Sequence, residues 1–176
     1  DVIEFTVTDC SLEENKIFPW HISEKELDKI YQPKNNIRFI KGVEWDLLDD
    51  ASKEIFKKND FIISEQSDRM GYRLSGTPLV LQKPTELISS ATDTGIVQLL
   101  PEGNCIILMA DHQTTGGYPR IASVIKADIP KLAQAGPGST IKFACVSLQE
   151  AESAFTQMQK ILTEIKNACY FNFKKI

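Results

Sequence analysis

Short apolar or alternating runs, each closed by glycine, proline or small polar residues, recur along most of this chain. They predict strands at Val2–Val7, Ile37–Ile40, Asp60–Ser64, Tyr72–Ser75, Ile96–Leu100, Cys105–Met109, Arg120–Ile125 and Thr140–Ser147. Pro101-Glu102-Gly103-Asn104 is the turn that makes two of these a hairpin. Helical spacing appears in fewer places. Ser23-Glu24-Lys25-Glu26 has the form of a capping box and opens a short helix through Leu27 and Ile30. A second helix is expected over Asp46–Lys57, and a third over Asp128–Gln134 with Pro130 in its first turn. Ser147 and Glu150 form another capping box, opening a helix to about Asn167. Its stripe of Leu148, Ala151, Phe155, Met158, Leu162 and Ile165 is expected to pack on a sheet or barrel end. Many strands without βαβ alternation predict a mostly-β (α+β) fold, an antiparallel barrel or sandwich with peripheral helices.

Composition narrows the class. The 176 residues fit one domain, with 42% hydrophobic and 25% charged residues. A net charge of −4 argues against nucleic acid or an anionic membrane as the main partner. No apolar run is long enough to span a bilayer. The start Asp1-Val2-Ile3-Glu4 carries neither a methionine nor a signal sequence, which fits a processed or partial chain. Cys10, Cys105, Cys145 and Cys169 lack C-x-x-C spacing, so a reduced, cytoplasmic protein without bound metal is expected. Cys105 and Cys145 fall in apolar runs and are expected in the core.

The candidate chemistry gathers where the run Ile106–Met109 drives into Asp111-His112-Gln113-Thr114-Thr115-Gly116-Gly117. Burying so many polar groups is costly unless each finds a partner. His112 is chemically able to move protons, and equally able to be a structural hydrogen-bonder. The Thr114–Gly117 turn offers hydroxyls and backbone amides that can cradle an anion, or form only a hairpin. Arg69, Arg73 and Arg120 flank the conspicuous turns, as carboxylate-binding forks or as salt bridges with Asp68, Glu65 or Asp111. Ser89–Gly95 is a second polar loop without the G-x-S-x-G elbow of serine hydrolases. His112 and His21 with scattered carboxylates do not assemble an evident zinc set.

Three segments also carry a family resemblance. Ser67-Asp68-Arg69-Met70-Gly71-Tyr72-Arg73-Leu74-Ser75-Gly76 is similar to an S-D-R-M-G-Y-R-L-x-G signature. Ser89-Ser90 through Gly95 and Val97-Gln98 are similar to S-x-x-x-x-x-G-x-[IV]-Q. Met109 through Pro119 matches the hallmark segment. The chain thereby resembles the biotin-dependent carboxyltransferase-like group, also called allophanate hydrolase subunit 2. That group includes the 5-oxoprolinase C-subunit and the carboxyltransferase segment of urea carboxylase. The resemblance implies a single cyclophilin-like β-barrel over residues 1–176, the C-terminal half of a longer two-barrel protein. It implies a B-type partner of related fold and an A-type partner, which with this C-type component open 5-oxoproline to glutamate with ATP. It also admits carboxyl transfer to a urea-like substrate from biotin on a partner, or a non-catalytic regulator of a B-type, kinase-inhibitor-like protein. For the first activity the chemistry of the residues suggests His112 and Asp111 as proton-handling groups. Arg69, Tyr72, Arg73, Gln113, Thr114, Thr115, Gly116 and Gly117 would bind substrate. Where that family shows G-P-Q after the Ile37 strand, this chain has Gly42-Val43-Glu44.

Overall fold

A computed structural model describes residues 21–32, 35–83, 85 and 87–173. The expected strand Val2–Val7 and Cys10 lie outside these. The described strands are β1 (Asn36–Lys41), β2 (Phe61–Ile63), β3 (Gly71–Ser75), β4 (Ser90–Ala91), β5 (Ile96–Leu99), β6 (Cys105–Leu108), β7 (Thr115–Gly116), β8 (Arg120–Val124) and β9 (Thr140–Cys145). The helices are α1 (Glu24–Tyr31), α2 (Asp50–Lys58), α3 (Ile129–Ala133) and α4 (Leu148–Phe173). Seven strands close a barrel in the order β1-β8-β5-β6-β3-β2-β9, and β4 and β7 form a separate two-stranded ribbon. The mostly-β barrel with peripheral helices is the expected class, with one departure. β1 and β9 run parallel, Ile37 opposite Phe143, while the other barrel pairs are antiparallel.

Period-two alternation sends one face of every strand inward. Ile37 and Phe39, Val97 and Leu99, Cys105 and Ile107, and Ile141 and Phe143 form the core with residues of α2 and α3. Phe56 of α2 stacks on Phe143 with centroids 4.3 Å apart and planes 13° off parallel, and meets Phe39 edge-on at 5.1 Å. α1 lies beside α3 and buries Ile30. A buried ion cluster ties α3 to β1. Asp128 accepts hydrogen bonds from the Arg38 backbone N–H, its guanidinium and the Lys131 ammonium.

Several local expectations change. The single helix expected from Asp46 divides into a 3-10 turn, Trp45–Leu47, and α2. Leu48 is extended and bridges to Leu81, and Asp49 then caps α2 by accepting from the Ser52 amide. At α1 the Ser23 side chain makes no capping bond, although the helix starts where expected. At α4 the reciprocal Ser147–Glu150 box does form. The α4 stripe, however, does not enter the core. Leu148 and Phe155 are exposed, and Met158, Leu162 and Ile165 are only half-buried. Cys145 is exposed at the end of β9, whereas Cys105 is buried and its thiol is pushed up to about 12.

Candidate functional site

The polar residues collect on the outer face of the barrel. In β3, β6 and β5 the core takes Leu74, Cys105, Ile107, Val97 and Leu99. The alternate positions Gly71, Arg73, Ile106, Leu108 and Gln98 all line one cavity of about 330 Å³. Strand register arranges them. Arg73 stands opposite Ile106, Ile106 opposite Gln98, and Gln98 opposite Arg120. The last pairing follows a register shift between Val97 and Gln98, a bulge that passes over Ile121 and brings Arg120 into the row. Gly71 is needed below this floor, since a Cβ there would sit 2.6 Å from Ile106 Cδ1.

Gln98 is 1% exposed, and among the described residues its Nε2 has no hydrogen-bond partner. Arg73 is exposed, and its backbone N–H donates to Ser67 Oγ. Among the described residues its guanidinium has no partner. The cavity thus holds two unspent donors, one of them cationic. Asp68, also on its rim, is occupied by the amides of Met70 and Gly71. Gln113 and Tyr118 complete the wall opposite the sheet. Beyond Tyr118 lies a wider apolar cavity of about 780 Å³ lined by Leu79, Val80, Leu87, Leu99 and Pro119.

The segment from Asp111 to Pro119 is largely satisfied by its own partners. The Asp111 amide donates to the Arg69 carbonyl, and the His112 amide to the Met109 carbonyl. Thr115 and Gly116 form β7 and pair with Ala91 and Ser90 of β4, while the Thr92 amide donates to the Thr114 carbonyl. The expected anion-cradling turn is therefore half of a ribbon joining the two polar loops. His112 Nδ1 lies 2.6 Å from the Gln113 carbonyl, which can only accept, so Nδ1 carries a proton. The Thr92 hydroxyl donates to the same carbonyl. These bonds fix the backbone that carries the Gln113 side chain to the cavity.

The expected site residues therefore separate. Arg73 and Gln113 line the cavity, with Gly116 behind them: a Cβ there would meet Gln98 Nε2 at 2.7 Å and Gln113 Nε2 at 3.6 Å. Arg69 and Tyr72 face a different hollow with Met109, Ala110 and Pro137. Arg69 pairs there with Asp111 at 2.9 Å in an exposed bridge. Gly117 borders the apolar cavity, and Thr114 and Thr115 are exposed. Arg120 is occupied by Glu44, which accepts from its backbone N–H, Nε and Nη2. Burial pushes the Glu44 carboxyl up, but the Arg120 hydrogen bonds outweigh it and hold it below the ordinary range. Gln98 and Tyr118 carried no expected role. The available signal for Gln98 was a lone amide inside the apolar run Ile96–Leu100. Among the described residues no cluster of three or more metal-ligating side chains occurs, and no helix is long and apolar enough to cross a membrane.

Fold and cleft together define a closed β-barrel domain with a polar, small-molecule-sized cleft on its outer face. Residues 1–145 match the family described as carboxyltransferase domain, subdomain A and B, and the chain belongs to that family. The 5-oxoprolinase C-subunit of Haemophilus influenzae is 46% identical over 130 residues, 74% of this chain and 42% of that protein. The Escherichia coli protein of the same name is 43% identical over 131 residues, with the same shares. The chain thus spans about two fifths of the length of these relatives. The crystal structure of the K. lactis urea amidolyase is similar in fold, with a TM-score of 0.65 over 72% of this chain and 8% of that one, at 23% identity.

Proposed function

We propose that this chain is the C-terminal barrel of the C-type component of an ATP-dependent 5-oxoprolinase. Acting with components of the A and B types, it would convert 5-oxo-L-proline, ATP and water to L-glutamate, ADP and phosphate. The observation that carries this reading is the 46% identity to a 5-oxoprolinase C-subunit, over 130 residues of this chain. The chemistry of the cleft agrees with an acidic small-molecule substrate: Arg73 offers a carboxylate a guanidinium without a partner among the described residues, and Gln113 offers an amide. Asp111 and His112 act through the loop, Asp111 by anchoring it to Arg69 and His112 by holding the Gln113 carbonyl. Thr114, Thr115 and the Gly116 backbone hold the ribbon that walls the cleft. A single unpaired arginine beside Asp68 and Glu102 does not make a triphosphate site, so ATP would be bound by the partner proteins. The family description keeps a second reading in view, carboxyl transfer from biotin carried on a partner.

The test is ATP-dependent release of glutamate from 5-oxoproline by the reconstituted complex. Hydrogen bonds to a charged group contribute about 1.5–3 kcal/mol. Arg73→Ala should therefore lower kcat/KM by roughly tenfold or more, mainly through KM. His112→Ala should act more weakly, as a residue that positions Gln113. A wild-type complex that releases no glutamate would overturn the 5-oxoprolinase reading. An Arg73→Ala complex within twofold of wild type would overturn the placement of the site.

A further inference from the structure

Gln98 is the polar side chain in the barrel wall whose burial the fold does not repay. It stands on β5 in the wall of the 330 Å³ cavity, 1% exposed, and its Nε2, closed off from solvent, has no hydrogen-bond partner among the described residues. Burying an amide without a compensating bond is costly, and such groups ordinarily find partners. The neighbouring positions show that the space was kept for this amide. Gly116 lies so close that a methyl group there would contact Nε2 at 2.7 Å. Unbroken β5–β6 pairing sets it opposite Ile106, which in turn stands opposite Arg73.

We propose that Gln98 is the specificity-determining donor of the cleft. On binding, its amide, which packs towards Gly116, turns to give the Nε2–H to a neutral carbonyl oxygen of the ligand while Arg73 takes the ligand's carboxylate. The ligand class is a small ring acid bearing a carboxylate at one end and a lactam or amide carbonyl at the other. The spacing follows from the sheet. Arg73 and Gln98 flank Ile106 on neighbouring strands, so their Cα atoms are about 10 Å apart, two inter-strand spacings. Between them Ile106 and Leu108 give the ring an apolar floor. The pose deepens the 5-oxoprolinase reading and rests on it for the choice of first ligand. A ligand lacking the carbonyl leaves a buried donor unpaired, which is how such sites discriminate most strongly.

Binding to the 176-residue chain is measured by calorimetry for three probes. They are 5-oxoproline, cyclopentanecarboxylate (ring and acid without the lactam) and 2-pyrrolidinone (lactam without the acid). In the wild type, 5-oxoproline should bind roughly tenfold or more tightly than either analogue. Gln98→Met should erase the preference over cyclopentanecarboxylate, and Arg73→Ala the preference over 2-pyrrolidinone. Gln98→Met should leave the melting temperature unchanged or raise it, since it removes an unsatisfied buried amide. Gly116→Ala, which displaces the Gln98 amide without touching the ligand, should reproduce the Gln98→Met pattern. The inference is overturned if Gln98→Met keeps the preference within twofold of wild type, or if the wild type binds none of the three probes. Glutamate release by the wild-type complex, unchanged in Gln98→Met, would overturn it while leaving the 5-oxoprolinase reading standing. A complex without turnover, built on a chain that shows the Gln98-dependent preference, would remove the 5-oxoprolinase reading and leave the donor assignment standing.

Discussion

Replacing Asp128 by asparagine removes one charge from the ion cluster that fastens α3 to β1. Asp128 is 1% exposed and receives three bonds from Arg38, at 2.7, 2.8 and 3.0 Å, and one from Lys131 at 2.8 Å. Asparagine keeps the shape but turns one acceptor oxygen into a donor facing these donors. Breaking a buried pair by removing one partner costs about 3–5 kcal/mol. The Arg38 side chain is 35% exposed and can recover water, whereas the Lys131 side chain at 9% cannot. That places the expected loss near the lower end, about 3 kcal/mol, or roughly 6–12 °C in Tm for a domain of this size. The pH dependence gives an independent check. Burial pushes the Asp128 carboxyl up, but the bonds from Arg38 and Lys131 outweigh it and hold it below the ordinary carboxylate range. A group depressed in the folded state contributes fully above its unfolded value, about pH 4, and loses that contribution as pH falls through the folded value. Urea denaturation of wild type and Asp128→Asn should therefore show a gap that is full at pH 7 and narrows below about pH 4. Asp50→Asn, which removes an exposed carboxylate bridged to Lys53, should lie within about 0.5 kcal/mol of wild type throughout. A gap below about 1 kcal/mol at pH 7, or one unchanged on acidification, would refute the account.

Two further predictions concern the core. Phe56 is fully buried between Phe143, Phe39, Trp45 and Phe61, so Phe56→Ala should cost about 3–5 kcal/mol by urea denaturation, and a loss below about 1.5 kcal/mol would show that α2 is not packed as described. Cys105, buried and with its thiol pushed up to about 12, should resist an aromatic disulfide reagent at about pH 8 until the protein unfolds, while exposed Cys145 reacts in the native state; rapid native labelling of Cys105 would contradict its burial.

The barrel strands were legible because all but β3 are short runs with β-branched residues, β3 alternates between Gly71 and Gly76, and the core follows from their alternation. What the pattern could not show was closure, since the parallel pairing of β1 with β9 joins segments about a hundred residues apart. The division before α2 was hidden for a different reason. Trp45, Leu47, Leu48 and Ala51 keep helical spacing across a point where the backbone is extended to bridge Leu81. The α4 stripe was read as core because periodicity reports amphipathicity and not what covers it. For the site, the dense polar block drew attention to residues 111–117, although much of that block pairs with Ser90–Thr92 to build a wall. Gln98 interrupts an apolar run and ends the second resembling segment, yet it went unassigned because neither signal says what its amide meets, which only its three-dimensional neighbours reveal.

The row Arg73–Ile106–Gln98–Arg120 carries two arginines on one face, and their partners decide where an anion can sit. Arg120 is neutralised by Glu44, held at 2.9–3.1 Å by three donors and kept ionised by them. That carboxylate follows a Gly42 where any Cβ would collide with the Arg120 carbonyl. The tight turn therefore delivers Glu44 to the Arg120 end of the row and cancels its charge. At the other end, Arg73 has no counter-ion among the described residues. Coulomb attraction between partly solvated unit charges falls to a few kcal/mol at contact and is screened within about 10 Å at ordinary salt. The other charged residues lining the cleft are Asp68 and Glu102, so Arg73 is the one cation among its described lining residues with which an entering carboxylate can pair. Its orientation is set before Gln98 is reached, so the carbonyl at the ligand's far end is the group left to face the unpaired amide.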